Sequence, residues 1–310
     1  MGILQDLFQV GIDTKETIPA VNGDILLNYH FICTRKQWIR KHIIEHEIEG
    51  NIKIGISKYS QKFTKWSIHF TDIECRKKTN FIPEYYILWD YVQRADFFMS
   101  TDGKITTHGF TAFEQERIYK EKIKKISQYI QEEPRKKEMQ NILKKSKKNL
   151  EILAALLNIN PVMQLLCREF KFYHTYKKTE DRNKVKLFYT SEVLNDYFGA
   201  DIHLPIKKIS VLDNRNKDMI AGSSVGGVDK GKMREEDFFR YIKKIAGKVV
   251  IGRELLLDYS EYYRYDKGDF WNIYGFEQAE NYIQTAISEA WFLEEQIKMN
   301  RIKKQDYGSR

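Results

Sequence analysis

A chain of 310 residues with 42% hydrophobic and 14% aromatic content can bury a sizeable core as one large domain or two ordinary ones, which excludes a disordered polymer. The net charge of +9 favours anionic partners over cationic ones. Three scattered cysteines, Cys33, Cys75 and Cys167, give no disulfide framework and no Cys-x-x-Cys metal site, so a reducing, cytoplasmic setting is expected. Five prolines and 31% charged residues suggest a soluble, helix-rich fold. No apolar run approaches the roughly 18 residues of a membrane span, and Met1 to Val10 lack the pattern of a signal peptide.

In chain order, Ile25 to Lys41 has apolar residues at mixed spacing and ends in a basic run, which favours a helix for its second half. Ile52, Ile54 and Ile56, then Trp66, Ile68 and Phe70, alternate with polar residues and predict a small antiparallel sheet over 52–75. An aromatic segment from Pro83 to Phe98 reads as a helix ending at Ser100-Thr101-Asp102-Gly103. From Glu114 to Leu157 helical spacing dominates, broken at Pro134 and stopped at Asn158-Ile159-Asn160-Pro161, with one more helix over Val162 to Tyr173. Beyond 180, strands are expected at 185–190, 206–212 and 219–221, the last two joined as a hairpin. A glycine-rich loop, a helix at 234–246, a strand at 249–251 and a tyrosine-rich segment follow. Phe276, Ala279, Ile283, Ala286, Ala290, Leu293 and Ile297 fit one face of a long amphipathic helix over 276–302. The expected fold class is therefore α+β and helix-rich: a small N-terminal antiparallel sheet, a central basic helical region, and a C-terminal mixed α/β part closed by that helix. The best cut divides 1–180 from 181–310.

Several motifs carry candidate chemistry. Gly226 to Lys232 fits G-x-x-x-x-G-K, in which glycine amides cradle phosphates, making Gly226, Gly231 and Lys232 candidate cofactor-binding residues; Met233 stands where a magnesium-binding hydroxyl is needed. His42-Ile43-Ile44-Glu45-His46 fits H-x-x-E-H, in which His42 and His46 on one helix face would hold zinc and Glu45 would polarise water. Asp72 and Glu74 form a second acidic candidate. The run Asn28 to Trp38, with Tyr29, Cys33, Arg35-Lys36 and Trp38, resembles the opening of the RecB-like nucleases. That resemblance implies a cluster-binding Cys33 and a metal-dependent DNA-cleaving site; Cys75 and Cys167 do not complete the family's cysteine set, and Asp72 and Glu74 near Lys77 imitate its acidic set poorly.

The leading functional expectation is a binding or assembly protein of a microbial cytosol that meets a polyanion, such as nucleic acid, through the basic helical stripe. Lys122, Lys125, Lys136, Lys137, Lys144 and Lys148 are its candidate phosphate contacts. The alternatives are a metal-dependent nuclease or hydrolase of a defence or mobile element, and a structural subunit joined to itself or a partner through the last helix, around Ile283, Ile287, Leu293 and Ile297. No resident cofactor is expected, a divalent metal being the one candidate.

Overall fold

The computed structural model describes residues 25–39, 42–58, 60–78, 90–130, 133–147, 149–177, 185–194, 204–233, 236, 255–270, 274–287 and 291–302. Its frame is one antiparallel sheet of eleven strands. The first three are long: β1 (Ile25–Ile39), β2 (His42–Lys58) and β3 (Phe63–Lys78). After β4 (Arg94–Ser100) and the two-residue β5 (Thr111–Ala112), the chain forms α1 (Gln115–Tyr129), α2 (Glu133–Ser146), α3 (Leu150–Asn158) and α4 (Pro161–Lys177). It returns through β6 (Lys186–Leu194), β7 (Leu204–Asp213), β8 (Met219–Val228), β9 (Leu256–Asp266), the short α5 (Lys267–Phe270), β10 (Gln278–Ile287) and β11 (Trp291–Arg301).

The strand order is β5-β4-β3-β2-β1-β11-β10-β9-β8-β7-β6. Every neighbour but one is consecutive in sequence; the exception, β1 against β11, closes two meanders into one sheet drawn from both sides of residue 180. The helices connect the two outermost strands, β5 and β6, by crossing one face.

That inner face explains the strand pattern. Leu27, Tyr29, Phe31 and Cys33 of β1 are buried while Asn28, His30, Ile32 and Thr34 between them remain partly exposed, as period-two geometry requires. Ile52, Ile54 and Ile56 of β2 and Trp66, Ile68 and Phe70 of β3 line up beside them. Where β2 and β3 slip register around Glu49 and Asn51, Asp72 takes a φ of 55° and accepts from Asn51 Nδ2 at 2.9 Å.

Asn160 caps α4, its side-chain oxygen accepting from Val162 N at 2.9 Å and Met163 N at 3.2 Å, with Pro161 as the first helical residue. Asn149 caps α3 in the same way. So started, α4 runs under β1, β11 and β10 and supplies Phe170 to the rings of Trp66 and Tyr274, each 5.1 Å away by centroid.

Two expectations are overturned. The protein is not a helix-rich α+β fold with a small N-terminal sheet; the sheet dominates and runs through both ends of the described chain. The helices expected over the second half of 25–41 and over 276–302 are strands β1, β10 and β11 where the residues are described, because contacts on both flanks override the helix propensity of their Glu, Gln, Lys, Leu and Ala residues. The second half of the expected helix at 83–98 is β4. The expected helix at 234–246 and strand at 249–251 lie, apart from residue 236, outside the described residues.

Candidate functional site: a basic helical hairpin and a buried ionic cluster

The basic stripe divides between two helices that pack against each other. Ile118, Lys122 and Ile126 of α1 and Met139, Leu143 and Ser146 of α2 point inward. The pair is pinned where Lys147 meets Glu116 and lies 4.4 Å from the Tyr119 ring centre.

This packing sorts the six predicted phosphate contacts. Lys122 is buried against Asp90, and burial draws its pKa down although Asp90 opposes the shift. Lys125 pairs with Glu121 at 3.1 Å and Lys136 with Glu133 at 3.5 Å. Lys148 lies outside the described residues. Lys137 and Lys144 are exposed and have no ion-pair partner among the described residues, and the structure adds Lys120, Lys124 and Lys145 in the same condition. Glu116, Glu133 and Glu138 are exposed acids on the same two helices, the first two paired with Lys147 and Lys136. The signal for two of the three additions was the helical period itself, since Lys120 and Lys124 are one turn apart opposite Ile118 and Ile126.

The second constellation was missed in the sequence. On the inner face, Ser210, Ser224, Glu261 and Asn281 occupy one row across β7, β8, β9 and β10. The adjacent row runs Lys208, Gly226, Tyr259, Ile283, Glu295, Arg35 and His46. Glu261 is 3% exposed and gathers the Lys208 ammonium at 3.0 Å, the Arg168 guanidinium of α4 at 2.9 Å and the Tyr259 hydroxyl. Burial alone would raise the Glu261 carboxyl, but Lys208 and Arg168 with the Tyr259 hydrogen bond hold it well below the ordinary range. Arg168 Nη2 also donates to Asn281 Oδ1 at 3.0 Å, and Arg35 Nη1 donates to Glu295 at 3.1 Å. The two Arg168 contacts clamp α4 to the sheet, and the others join strand to strand. The group offers ion pairs and hydrogen bonds, with no nucleophile paired to a base.

Beside it, Glu169 of α4 is fully buried and accepts from the Tyr274 hydroxyl. Burial pushes its carboxyl up to about 8, while hydrogen bonds from Tyr274 and Tyr265 oppose the rise.

The remaining sequence candidates are separated by the strands. His42 and His46 sit four residues apart on β2, about 13 Å along a strand; helix spacing would have brought them within reach of one ion. Glu45 falls on the opposite face from buried His46, whose pKa burial lowers, with Arg35 adding to the effect. Asp72 and Glu74 are exposed on β3, and no group of three or more His, Cys, Asp or Glu among the described residues is arranged for a metal. Gly226 is inside β8, paired with Lys208 and Tyr259; a Cβ there would lie 3.2 Å from the Tyr259 ring and 3.3 Å from Lys208, so this glycine gives room to the ionic row. Gly231 and Lys232 follow in a turn, where Lys232 Nζ donates to Ser191 Oγ at 3.0 Å. Cys33 and Cys75 lie on strands and Cys167 on α4, and no two of the three form a disulfide.

No protein-family profile matches the chain, and no curated protein matches it. Among solved structures, the chain is similar at 11% identity and a TM-score of 0.45 to one described as lipid-protein interactions in lipovitellin, covering 90% of this chain and 25% of that one. A second, the Pseudomonas aeruginosa protein OccK5 (OpdH), gives 9% identity and a TM-score of 0.16 over 89% of this chain and 65% of that one. The chain thus spans a quarter of the first and under two thirds of the second. Nothing in either likeness bears on nucleic acid or on a defence element, and those two expectations have no support in the structure. Among the described residues no single helix is long and apolar enough to cross a membrane; the pair α3 and α4, bent by 80°, passes that test together, yet α4 is largely buried against the sheet.

Proposed function

We propose that this protein acts by binding, with the outward face of the α1–α2 hairpin as an electrostatic seat for a polyanion. The observation that carries the reading is the set of five exposed lysines, Lys120, Lys124, Lys137, Lys144 and Lys145, without ion-pair partners among the described residues. They sit on helices whose inward faces are fixed by Ile118, Ile126, Met139 and Leu143. Unpaired ammonium groups on a rigid support attract a chain of negative charges at long range and release its counterions on contact. The geometry favours charge recognition over sequence or shape recognition, because lysines present point charges on flexible stems.

Changing all five to Glu leaves every buried contact of the hairpin in place and inverts the charge of its face. Fluorescence anisotropy with labelled heparin or polyphosphate should report binding weakened by roughly tenfold to a hundredfold at low salt. The helix content of the variant should match that of the parent. Equal binding by the two proteins would remove the hairpin as the seat.

A further inference from the structure

The two ends of the sheet are finished differently. On one side β5 is only two residues long, which blunts that edge. On the other, β6 pairs with β7 in unbroken register over nine residues, from Lys186 opposite Leu212 to Leu194 opposite Leu204, with no bulge and no proline in β6 itself. Among the described residues no strand pairs with its far side. A long regular edge of this kind presents unpaired backbone donors and acceptors to another strand.

The outer face next to this edge is apolar. Leu187 is 60% exposed and Tyr189 79% exposed, and behind them Ile209 and Val225 stand opposite Tyr189 in successive strands, 40% and 58% exposed. Elsewhere the outer face carries mostly polar residues, such as Asn28, His30 and Thr34 on β1 and Glu280, Gln284 and Gln296 on β10 and β11. Leu26, Ile43 and Leu256 are exposed apolar residues elsewhere on the strands, but the group of four that adjoin one another across paired strands, Leu187, Tyr189, Ile209 and Val225, lies at the open edge.

We propose that β6 is a self-association edge: two copies of the chain pair β6 to β6 in antiparallel register about a twofold axis at Tyr189, making one continuous sheet through both. The choice of a second copy rests on charge and side-chain complementarity within the strand. In that register Tyr189 meets its own mate, Leu187 stands opposite Ser191, Phe188 opposite Thr190, and the position of Lys186 falls opposite that of Glu192, twice by symmetry. Lys186 has no ion-pair partner among the described residues within its own chain. The sequence thus places opposite charges at both ends of the paired segment and Tyr189 against its own mate at the centre, flanked by apolar-to-hydroxyl pairs.

Sedimentation of the full chain over a concentration series tests the pairing. The parent should be a dimer that dissociates on dilution. Tyr189→Lys, at a position already open to solvent, should give a folded monomer with unchanged far-UV circular dichroism. Lys186→Glu or Glu192→Lys alone should weaken the dimer by about tenfold, since two attractive pairs become repulsive, and the double swap should restore it. A parent that stays monomeric at every concentration overturns the proposal, as does a dimer indifferent to Tyr189→Lys and to both single swaps. The monomeric Tyr189→Lys chain keeps its lysine hairpin, so loss of dimerisation and loss of polyanion binding are read separately.

Discussion

Glu169 lies with no solvent exposure beneath the hydroxyls of Tyr274 and Tyr265, and burial holds its carboxyl near 8 against an ordinary value of 4.5. The folded protein therefore keeps a proton that the unfolded chain releases, so stability falls as pH rises from about 4.5 to about 8 and levels off beyond. Glu169→Gln keeps the shape and removes the ionisation. It should raise the melting temperature at pH 8, leave it almost unchanged at pH 4.5, and flatten the slope between them in calorimetric scans. Glu261 has the opposite sign: its carboxyl is depressed, so its contribution is present above the ordinary value of 4.5 and is lost as pH falls through the depressed one, near 2. Glu261→Gln leaves Arg168 and Lys208 buried without their counter-charge. Breaking a buried pair on one side costs about 3–5 kcal/mol, to be read as a lower urea midpoint at pH 7.

At the scale of elements, the docking of α4 decides how the sheet is covered. Gly222 of β8 lies beneath Phe172 of α4, and a Cβ added there would come within 2.4 Å of the Phe172 ring. Gly222→Ala must push the ring or the helix aside, a strain of about 1–3 kcal/mol. Chemical denaturation should show that loss, and Phe172→Leu in the same chain should recover part of it. The same elements show why sequence reading stopped where it did. Parts of β2, β3, β7 and β8 were legible, over 52–75, 206–212 and 219–221, and in β2 and β3 the inward positions there are apolar and alternate cleanly, as in Ile52, Ile54 and Ile56. In β10 and β11 the inward positions include Asn281, Thr285 and Glu295, so period two disappears from the hydrophobic pattern. The remaining Ala279, Ile283, Leu293 and Ile297 also fit a helix, and the propensity of the surrounding Glu, Gln and Lys favours one. The buried polar residues of β10 and β11 thus hid the strands that carry them. In the lysine stripe, Lys122 could not be told from its neighbours without Asp90, a partner 32 residues away.

For the whole molecule, every strand from β4 to β7 in the sheet order has a strand on both sides, and among the described residues only the outer edges of β5 and β6 have none. β11, the segment expected to form a partner-binding helix, is bonded to β1 on one side and β10 on the other. The two seats proposed for association are therefore the β6 edge and the helical hairpin. The hairpin is the more consequential of the two proposals, because it commits to the chemistry of a ligand. The most direct measurement is the affinity of the unmodified full chain for a linear polyanion across a salt series, with the five-lysine variant alongside. A polyanion seated on these lysines should bind at low salt and weaken on a log-log plot with a slope of roughly −3 to −5, as counterions are released, while the variant's slope collapses toward zero. Absence of binding at low salt, or an affinity indifferent to salt and to charge reversal, would contradict an electrostatic seat on α1 and α2.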